Sequence, residues 1–298
     1  RVGRAAARRL NGQLVEILRR RDLNTPASRI RMAKLSIDSD QPVDDELLIN
    51  AAKDAVYLSN LPLGERFARA AFDRSGSLQA AELLSRALLW QGRPADSEAV
   101  LAKFDPDDLD ELQLVRWGTP RASHLFWAMG DVQRAHEVLD LVRQRTEHPA
   151  LKLFVQAAAA AMAVHENKID EGISAALEVL ADPHAPNQAV RFAAFAAGLA
   201  MPTAGRGDEF EPFAARCRAE LKTTDGMIRV MVRYCDVLAL THIGEFDLAD
   251  KRVADYAEFS SVGQFQAWAI AKIAAGVVAT ARGNFPEAIT SIEQALAA

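Results

Sequence analysis

The chain has 298 residues, of which 50% are hydrophobic and only 7% aromatic, and its formal net charge is −5. This negative charge argues against a nucleic-acid-binding surface spread over the whole chain. The longest apolar run, residues 157–164, is too short to span a bilayer, so no membrane contact is predicted. Cys217 and Cys235 are the only cysteines; they favour a reducing, cytoplasmic compartment and support neither a disulfide framework nor a zinc site.

Residues 1–45 are predicted to form basic lead-in helices. Residues 1–34 carry ten Arg and Lys side chains against Glu16 and Asp22, and apolar residues follow at helical spacing in the same segment. This pattern favours a structural helix with a solvated basic face over a nucleic-acid-binding arm. Pro26 predicts the start of a second helix that ends near Ser36. Because the chain begins at Arg1, we expect it to be cut from a longer protein, with a further module before it.

Residues 46–298 are predicted to form about seven helix pairs in one continuous domain. Ala and Leu, both strong helix formers, dominate the apolar residues, and few segments alternate as strands do. Pro120 is expected to kink or split the first helix of the third pair. The predicted pairs are 46–58 with 63–74, 77–91 with 95–104, 109–129 with 131–145, 149–165 with 168–182, 187–201 with 208–222, 224–243 with 246–259, and 262–282 with 285–297.

A residue that tolerates positive φ stands between the helices of most pairs, at Gly92, Gly130, Asn167, Gly205, Gly244 and Gly283. These turns recur at roughly 37 to 40 residues, a longer period than the roughly 34-residue tetratricopeptide unit. A small residue usually follows five positions later, although Phe210 follows Gly205. In the last pair, Gly276 is predicted to face Ala288 across the two helices. The sequence therefore predicts an all-α fold, a right-handed superhelical array of tetratricopeptide-like helix pairs.

Local motifs for catalysis or metal binding are absent from the sequence. Gly205-Arg-Gly207 lacks the lysine and the preceding strand of a phosphate loop, and the six histidines never occur at metal-ligand spacing. The acidic run 105–111 lacks the glycine of a calcium loop and is typical of a helix N-terminus. We therefore predict no enzyme, no cofactor and no metal site. An active site gathered from distant repeats stays an open alternative.

Residues 121–130, Arg-Ala-Ser-His-Leu-Phe-Trp-Ala-Met-Gly, resemble an Arg-Ala-x-Asn-Leu-Phe-Trp-Gly-Leu-Gly stretch of large MalT-like, LuxR-type bacterial transcriptional regulators. Residues 44–71 are similar to the entry into that family's helical repeats, and residues 83–92 are similar to the next repeat. The resemblance covers residues 44–142 and extends further only through the repeat period. Two positions depart from the family pattern, since His124 stands where Asn is common and Ala128 where Gly is common.

In such regulators, an ATPase module and a winged helix precede a superhelical sensor, and a helix-turn-helix domain reads DNA at the far end. The resemblance implies that this chain is the signal-sensing and oligomerisation segment. It would bind a small-molecule inducer or a regulatory protein, form homo-oligomers, and make no specific DNA contact itself. The alternative is a helical-repeat scaffold for protein–protein interaction with no transcriptional role.

A ligand groove is predicted along the first helices of the pairs, which line the concave face of a tetratricopeptide-like superhelix. Positions about 13, 10, 6 and 3 or 2 residues before each turn share one helical face. An aromatic lining with few polar groups is typical of a binding groove, although the same side chains would also suit the core between repeats. The groove candidates are Arg86, Trp90, Trp117, His124, Trp127, Phe154, His165, Phe192, Phe195, Tyr234, Thr241 and His242.

Overall fold

The computed structural model describes residues 3–19, 25–58, 60–219, 226–260 and 265–297. Within these ranges the chain forms sixteen α-helices and no strand, which confirms the all-α prediction. The helices are α1 (Arg4–Leu18), α2 (Pro26–Ile37), α3 (Asp45–Tyr57), α4 (Leu61–Ser75), α5 (Leu78–Trp90), α6 (Pro94–Leu101), α7 (Glu111–Ser123), α8 (Val132–Arg145), α9 (Pro149–His165), α10 (Ile169–Ala181), α11 (Asn187–Thr203), α12 (Glu211–Ala219), α13 (Gly226–His242), α14 (Phe246–Ser260), α15 (Phe265–Ala281) and α16 (Phe285–Leu296). Short 3₁₀ turns occupy Pro106–Asp108 and Gly207–Phe210.

All six predicted turn residues adopt the left-handed backbone conformation, with φ between 64° and 82°. Asn167 is the one non-glycine among the described residues to do so. This conformation lets the chain leave one helix and reverse into the next, and glycine adopts it without a Cβ clash while Asn tolerates it. The prediction of the turn positions is therefore confirmed.

The chain divides into two compact units, Arg1–Val138 (unit 1) and Leu139–Ala298 (unit 2), and α8 spans the division. In unit 1, α1 packs on α2, α2 on α3, α3 on α4, α4 on α5, and α5 on α6. Arg8 donates hydrogen bonds of 3.1 and 3.2 Å to the carbonyl of Ser39, and Arg29 pairs with both carboxylate oxygens of Asp54 at 2.6 and 3.0 Å. Arg8 and Arg29, two of the basic residues of the predicted lead-in helices, thus hold α1 and α2 in place.

In unit 2, α9 packs on α11, α11 on α13, and α13 on α15. Each of these first helices also contacts the second helix of its own pair, and α10 and α14 bridge to the following pair. The core between them is rich in Ala, including Ala193, Ala194 and Ala197, which are fully buried. Short alanine side chains allow the helix axes to approach closely.

At several turns, the positions seven residues before and five residues after the turn bring the paired helices into close contact. At the Gly92 turn these positions are Ser85 and Ser97, whose hydroxyls lie 2.7 Å apart. At the Gly283 turn, a Cβ added to Gly276 would lie 2.8 Å from Cγ1 of Ile292 and 3.4 Å from the carbonyl oxygen of Ala288. The prediction that Gly276 faces its partner helix opposite Ala288 is confirmed.

The large Phe210, which breaks the small-residue rule, is accommodated by a glycine on the opposite helix. Phe210 lies five residues after Gly205, and Gly198 lies seven residues before it. A Cβ on Gly198 would come within 2.6 Å of the Phe210 ring. The missing Cβ of Gly198 therefore leaves the space that the Phe210 ring occupies.

The predicted split at Pro120 does not occur, because α7 continues through this proline to Ser123. The hydrogen-bond pattern changes further on, where the amide of Met129 donates to the carbonyl of His124 at 3.1 Å. This five-residue step forms a π-helix, His124–Ala128. The extra residue of this π-helix turns every earlier side chain of the segment by about 100° around the helix axis, compared with its direction in a continuous α-helix.

Candidate functional site

Three aromatic groove candidates of unit 2 form a partly exposed surface on successive first helices. Phe154 of α9 and Phe192 of α11 meet edge to face, with ring centroids 5.7 Å apart and an interplanar angle of 78°. Both rings, together with Tyr234 of α13, are partly buried against the same core. Burial raises the pKa of the Tyr234 hydroxyl, which therefore stays protonated at neutral pH. We call Phe154, Phe192 and Tyr234 the aromatic surface.

The candidates His165 and Phe195 contact each other but differ in exposure. Their ring centroids lie 5.8 Å apart. Phe195 is only 7% exposed and belongs to the core of unit 2. Its assignment to an open groove is therefore wrong, and it fills the core instead, the alternative given for these aromatic side chains. His165 is exposed, and its Nδ1 lies 2.7 Å from the carbonyl oxygen of Ala161 one turn earlier.

Thr241 and His242, at the end of α13, border an open recess of about 450 Å³. Thr241 is buried and donates to the carbonyl of Val237 at 2.7 Å, so its hydroxyl is already used. His242 is exposed, with Nδ1 2.9 Å from the carbonyl oxygen of Leu238. The rest of the recess is apolar apart from one hydroxyl and is formed by Val277, Thr280, Ala281 and Ile292.

In unit 1, His124 belongs to a polar network with the close-contact serines. Its Nδ1 lies 3.2 Å from Oγ of Ser97, which in turn bonds Ser85. Burial lowers the pKa of His124 to about 4, and the positive charge of Arg86 acts in the same direction. The imidazole is therefore neutral at pH 7, and it acts as a hydrogen-bonding group rather than a cation.

Trp117 is the clearest error among the predicted groove residues. It is 1% exposed, and its indole N–H donates to the carbonyl of Leu101 at 2.8 Å. Trp117 was chosen by counting thirteen residues back from Gly130 along an assumed α-helix. Because the π-helix lies between these two residues and adds one residue, the position facing the groove is displaced by one. Arg116, one position earlier, is exposed, as a groove position at this point of the helix should be.

The remaining candidates of unit 1 lie nearer the surface. Trp127 is 38% exposed and packs edge to face on Phe126, with ring centroids 5.2 Å apart. Arg86 is exposed and Trp90 is half-buried. These side chains are compatible with a binding surface on unit 1.

Two buried carboxylates organise ion pairs that the sequence did not predict. Glu98, 6% exposed, accepts from Arg121 at 2.6 to 3.0 Å and from Arg134 at 2.9 Å. Asp236, 2% exposed, accepts from Arg218 in unit 2 at 2.7 Å. The partners are separated by 18 to 36 residues, so no local spacing signals them.

No protein-family model matches the chain, and no curated protein matches it. The resemblance to MalT-like regulators therefore stays a prediction. Among the described residues, no three His, Cys, Asp or Glu side chains gather as metal ligands would. Over the same ranges, no helix combines the length and apolarity needed to cross a membrane.

Proposed function

We propose that this chain is the signal-sensing and oligomerisation segment of a MalT-like, LuxR-type transcriptional regulator. We further propose that its helix pairs form a right-handed, tetratricopeptide-like superhelix. Support comes from three features: the recurring left-handed turns, the packing of successive first helices within each unit, and the resemblance of residues 44–142. The ATPase and DNA-reading domains would belong to other parts of the polypeptide, and the segment would act in the cytoplasm without catalysing a reaction.

The aromatic surface of unit 2 is the observation that carries the sensing role. Half-buried aromatic rings on firmly packed helices offer a large contact area at a low cost in conformational entropy. Phe154, Phe192 and Tyr234 lie on three helices that contact one another in succession. A small-molecule inducer or regulatory protein that contacts several pairs favours one arrangement of those pairs over another, which is the requirement for a sensor.

The reading frame on both sides of residues 1 and 298 tests this proposal. A phosphate-binding loop upstream and a helix-turn-helix domain downstream are the expected result. A reading frame that encodes neither feature would contradict the assignment of this chain to a transcriptional regulator. It would favour the second candidate, a protein–protein interaction scaffold, which the same helix pairs and exposed aromatic rings support equally well.

A further inference from the structure

An apolar stripe on α16 is exposed to solvent. It consists of Phe285, Ile289, Ile292 and Leu296, which are between 41% and 83% exposed. These residues are four, three and four positions apart, a spacing that puts them on one side of the helix. Large apolar side chains in one row form a patch of the kind that marks an interaction surface. We call these four residues the α16 stripe.

The corresponding positions of α10 show what covers such a stripe. Three members of the α16 stripe follow the Gly283 turn by two, six and thirteen residues. The same positions after the Asn167 turn are Ile169, Ile173 and Leu180. Ile173 and Leu180 are buried in the core of unit 2, and Ile169 packs against that core. Because α10 contacts both α9 and the following first helix, α11, the α16 stripe corresponds to a face that packs against a further helix.

A helix of matching character is exposed on unit 1. α1 packs on α2, and its outer face carries Leu10, Leu14 and Ile17, which are between 46% and 57% exposed. These residues are four and three positions apart, the same steps as the first three residues of the α16 stripe. We call them the α1 stripe. Two helices with apolar rows of the same spacing can pack side by side along those rows.

The two helices carry charges of opposite sign. α16 contains two glutamates and no basic residue, a formal charge of −2. α1 contains three arginines and one glutamate, Glu16, a formal charge of +2. Arg4 and Arg9 are exposed, and Glu16 is paired with Arg19 at 2.7 Å. Two copies of α16, or two copies of α1, would therefore repel each other, whereas α1 and α16 attract.

We propose that the α1 stripe of one copy of this chain packs on the α16 stripe of a second copy, as α11 packs on α10. The inference rests on the oligomerisation role proposed above and names the surfaces that carry it. Because the two stripes are different surfaces of the molecule, the contact is heterologous. Its repetition joins further copies into a closed ring or an open array.

Sedimentation velocity of the whole chain between about 1 and 100 µM tests this contact. The mass of the wild type should rise above that of the monomer as the concentration increases. Leu14→Asp and Ile289→Asp each place a charge in one stripe, and each variant alone should associate about tenfold more weakly. An equimolar mixture of the two variants should form a heterodimer, because the first keeps its α16 stripe and the second keeps its α1 stripe.

Leu112→Asp is the matched control, since Leu112 is 52% exposed on α7 and belongs to neither stripe. It should associate as the wild type does. Circular dichroism verifies that each variant folds. Leu10→Asp replaces Leu14→Asp, and Phe285→Asp replaces Ile289→Asp, if the first choice does not fold.

Three results would overturn the proposal. A wild type that stays monomeric over the whole range would show that something other than a second copy covers the two stripes. Full association of Leu14→Asp alone would show that α1 takes no part, and full association of Ile289→Asp alone would show the same for α16. A mixture that stays monomeric would exclude the heterologous contact. The reading-frame test is independent of all three results, so the assignment to a regulator stands or fails separately.

Discussion

His124 combines an ordinary hydrogen-bonding role with an unusual proton affinity. Its contact with Ser97 ties the π-helix to the close-contact serines of the preceding pair. Because burial lowers its pKa to about 4, the unfolded chain binds a proton on this residue at a higher pH than the folded chain does. The contribution of His124 to stability is therefore complete above pH 6.5 and is lost as the pH falls towards 4.

The pH dependence gives the first prediction. Between pH 7 and pH 5 the wild-type free energy of unfolding should fall by about 2 kcal/mol through His124 alone. His124→Gln, which keeps a polar side chain but does not titrate, should lack this component. Urea denaturation of both proteins at the two pH values measures the difference. Identical losses in wild type and His124→Gln would show that this imidazole does not titrate as described.

Two tryptophans separate core from surface and give the second prediction. Trp117 is 1% exposed and Trp127 is 38% exposed. Trp117→Ala should cost about 3–5 kcal/mol of stability, since it removes a buried ring and the hydrogen bond to Leu101. Trp127→Ala should cost less than half of that. Chemical denaturation of the two variants decides, and a greater loss for Trp127→Ala would reverse the assignment of core and surface.

The sequence predicted which residue types line the candidate site better than it predicted their exposure. Phe154, Phe192 and Tyr234 are partly exposed, as a groove requires, but Phe195, counted along the same helix as Phe192, lies in the core. Trp117 was misplaced because the count crossed a π-helix, which side-chain periodicity does not signal. The arginines around Asp236 were missed because they come together from three separate helices, α11, α12 and α13.

At the scale of elements, the contact between the positions seven residues before and five residues after the Gly283 turn sets how closely α15 and α16 approach. The third prediction tests it at the last pair. Gly276→Leu should cost about 1–3 kcal/mol, because its side chain must displace Ile292. Adding Ile292→Ala should recover part of that loss, which a double-mutant cycle measures.

Gly3→Leu is a suitable control for that cycle, since a Cβ at Gly3 meets nothing within 4 Å. It should leave the free energy of unfolding within about 0.5 kcal/mol of wild type. If Gly276→Leu leaves the free energy of unfolding as close to wild type as Gly3→Leu does, the two helices do not meet at this position as described. The same follows if the losses of Gly276→Leu and Ile292→Ala simply add in the double variant.

The helices and turns were more predictable than the burial of individual side chains, because they depend on short stretches of sequence. Helix-forming composition and turn residues are local properties of the sequence, so the all-α character and the positive φ of Asn167 were predicted correctly. Ser123, seven residues before Gly130, is partly exposed, whereas Ala122, one residue earlier, is fully buried. The buried position is therefore shifted by the one residue that the π-helix adds. That shift depends on backbone hydrogen bonds and leaves no trace in the sequence pattern.

At the scale of the whole molecule, the fourth prediction concerns activity. The purified chain should neither hydrolyse ATP nor bind duplex DNA specifically, because the sequence lacks a phosphate loop and its net charge is negative. The basic residues of the first 34 positions should give only weak, salt-sensitive DNA retention. An ATPase assay and a salt-dependent binding titration test both points. Sequence-specific binding that survives physiological salt would move the DNA-reading function into this chain.

The superhelical arrangement of the helix pairs is tested most directly by small-angle X-ray scattering of the monomer, with its mass verified by light scattering. A compact domain of this length has a radius of gyration of about 19 Å. An extended array of helix pairs should exceed that value clearly and give a pair-distance distribution with a long tail. A radius of about 19 Å with a symmetric distribution would contradict the superhelical array.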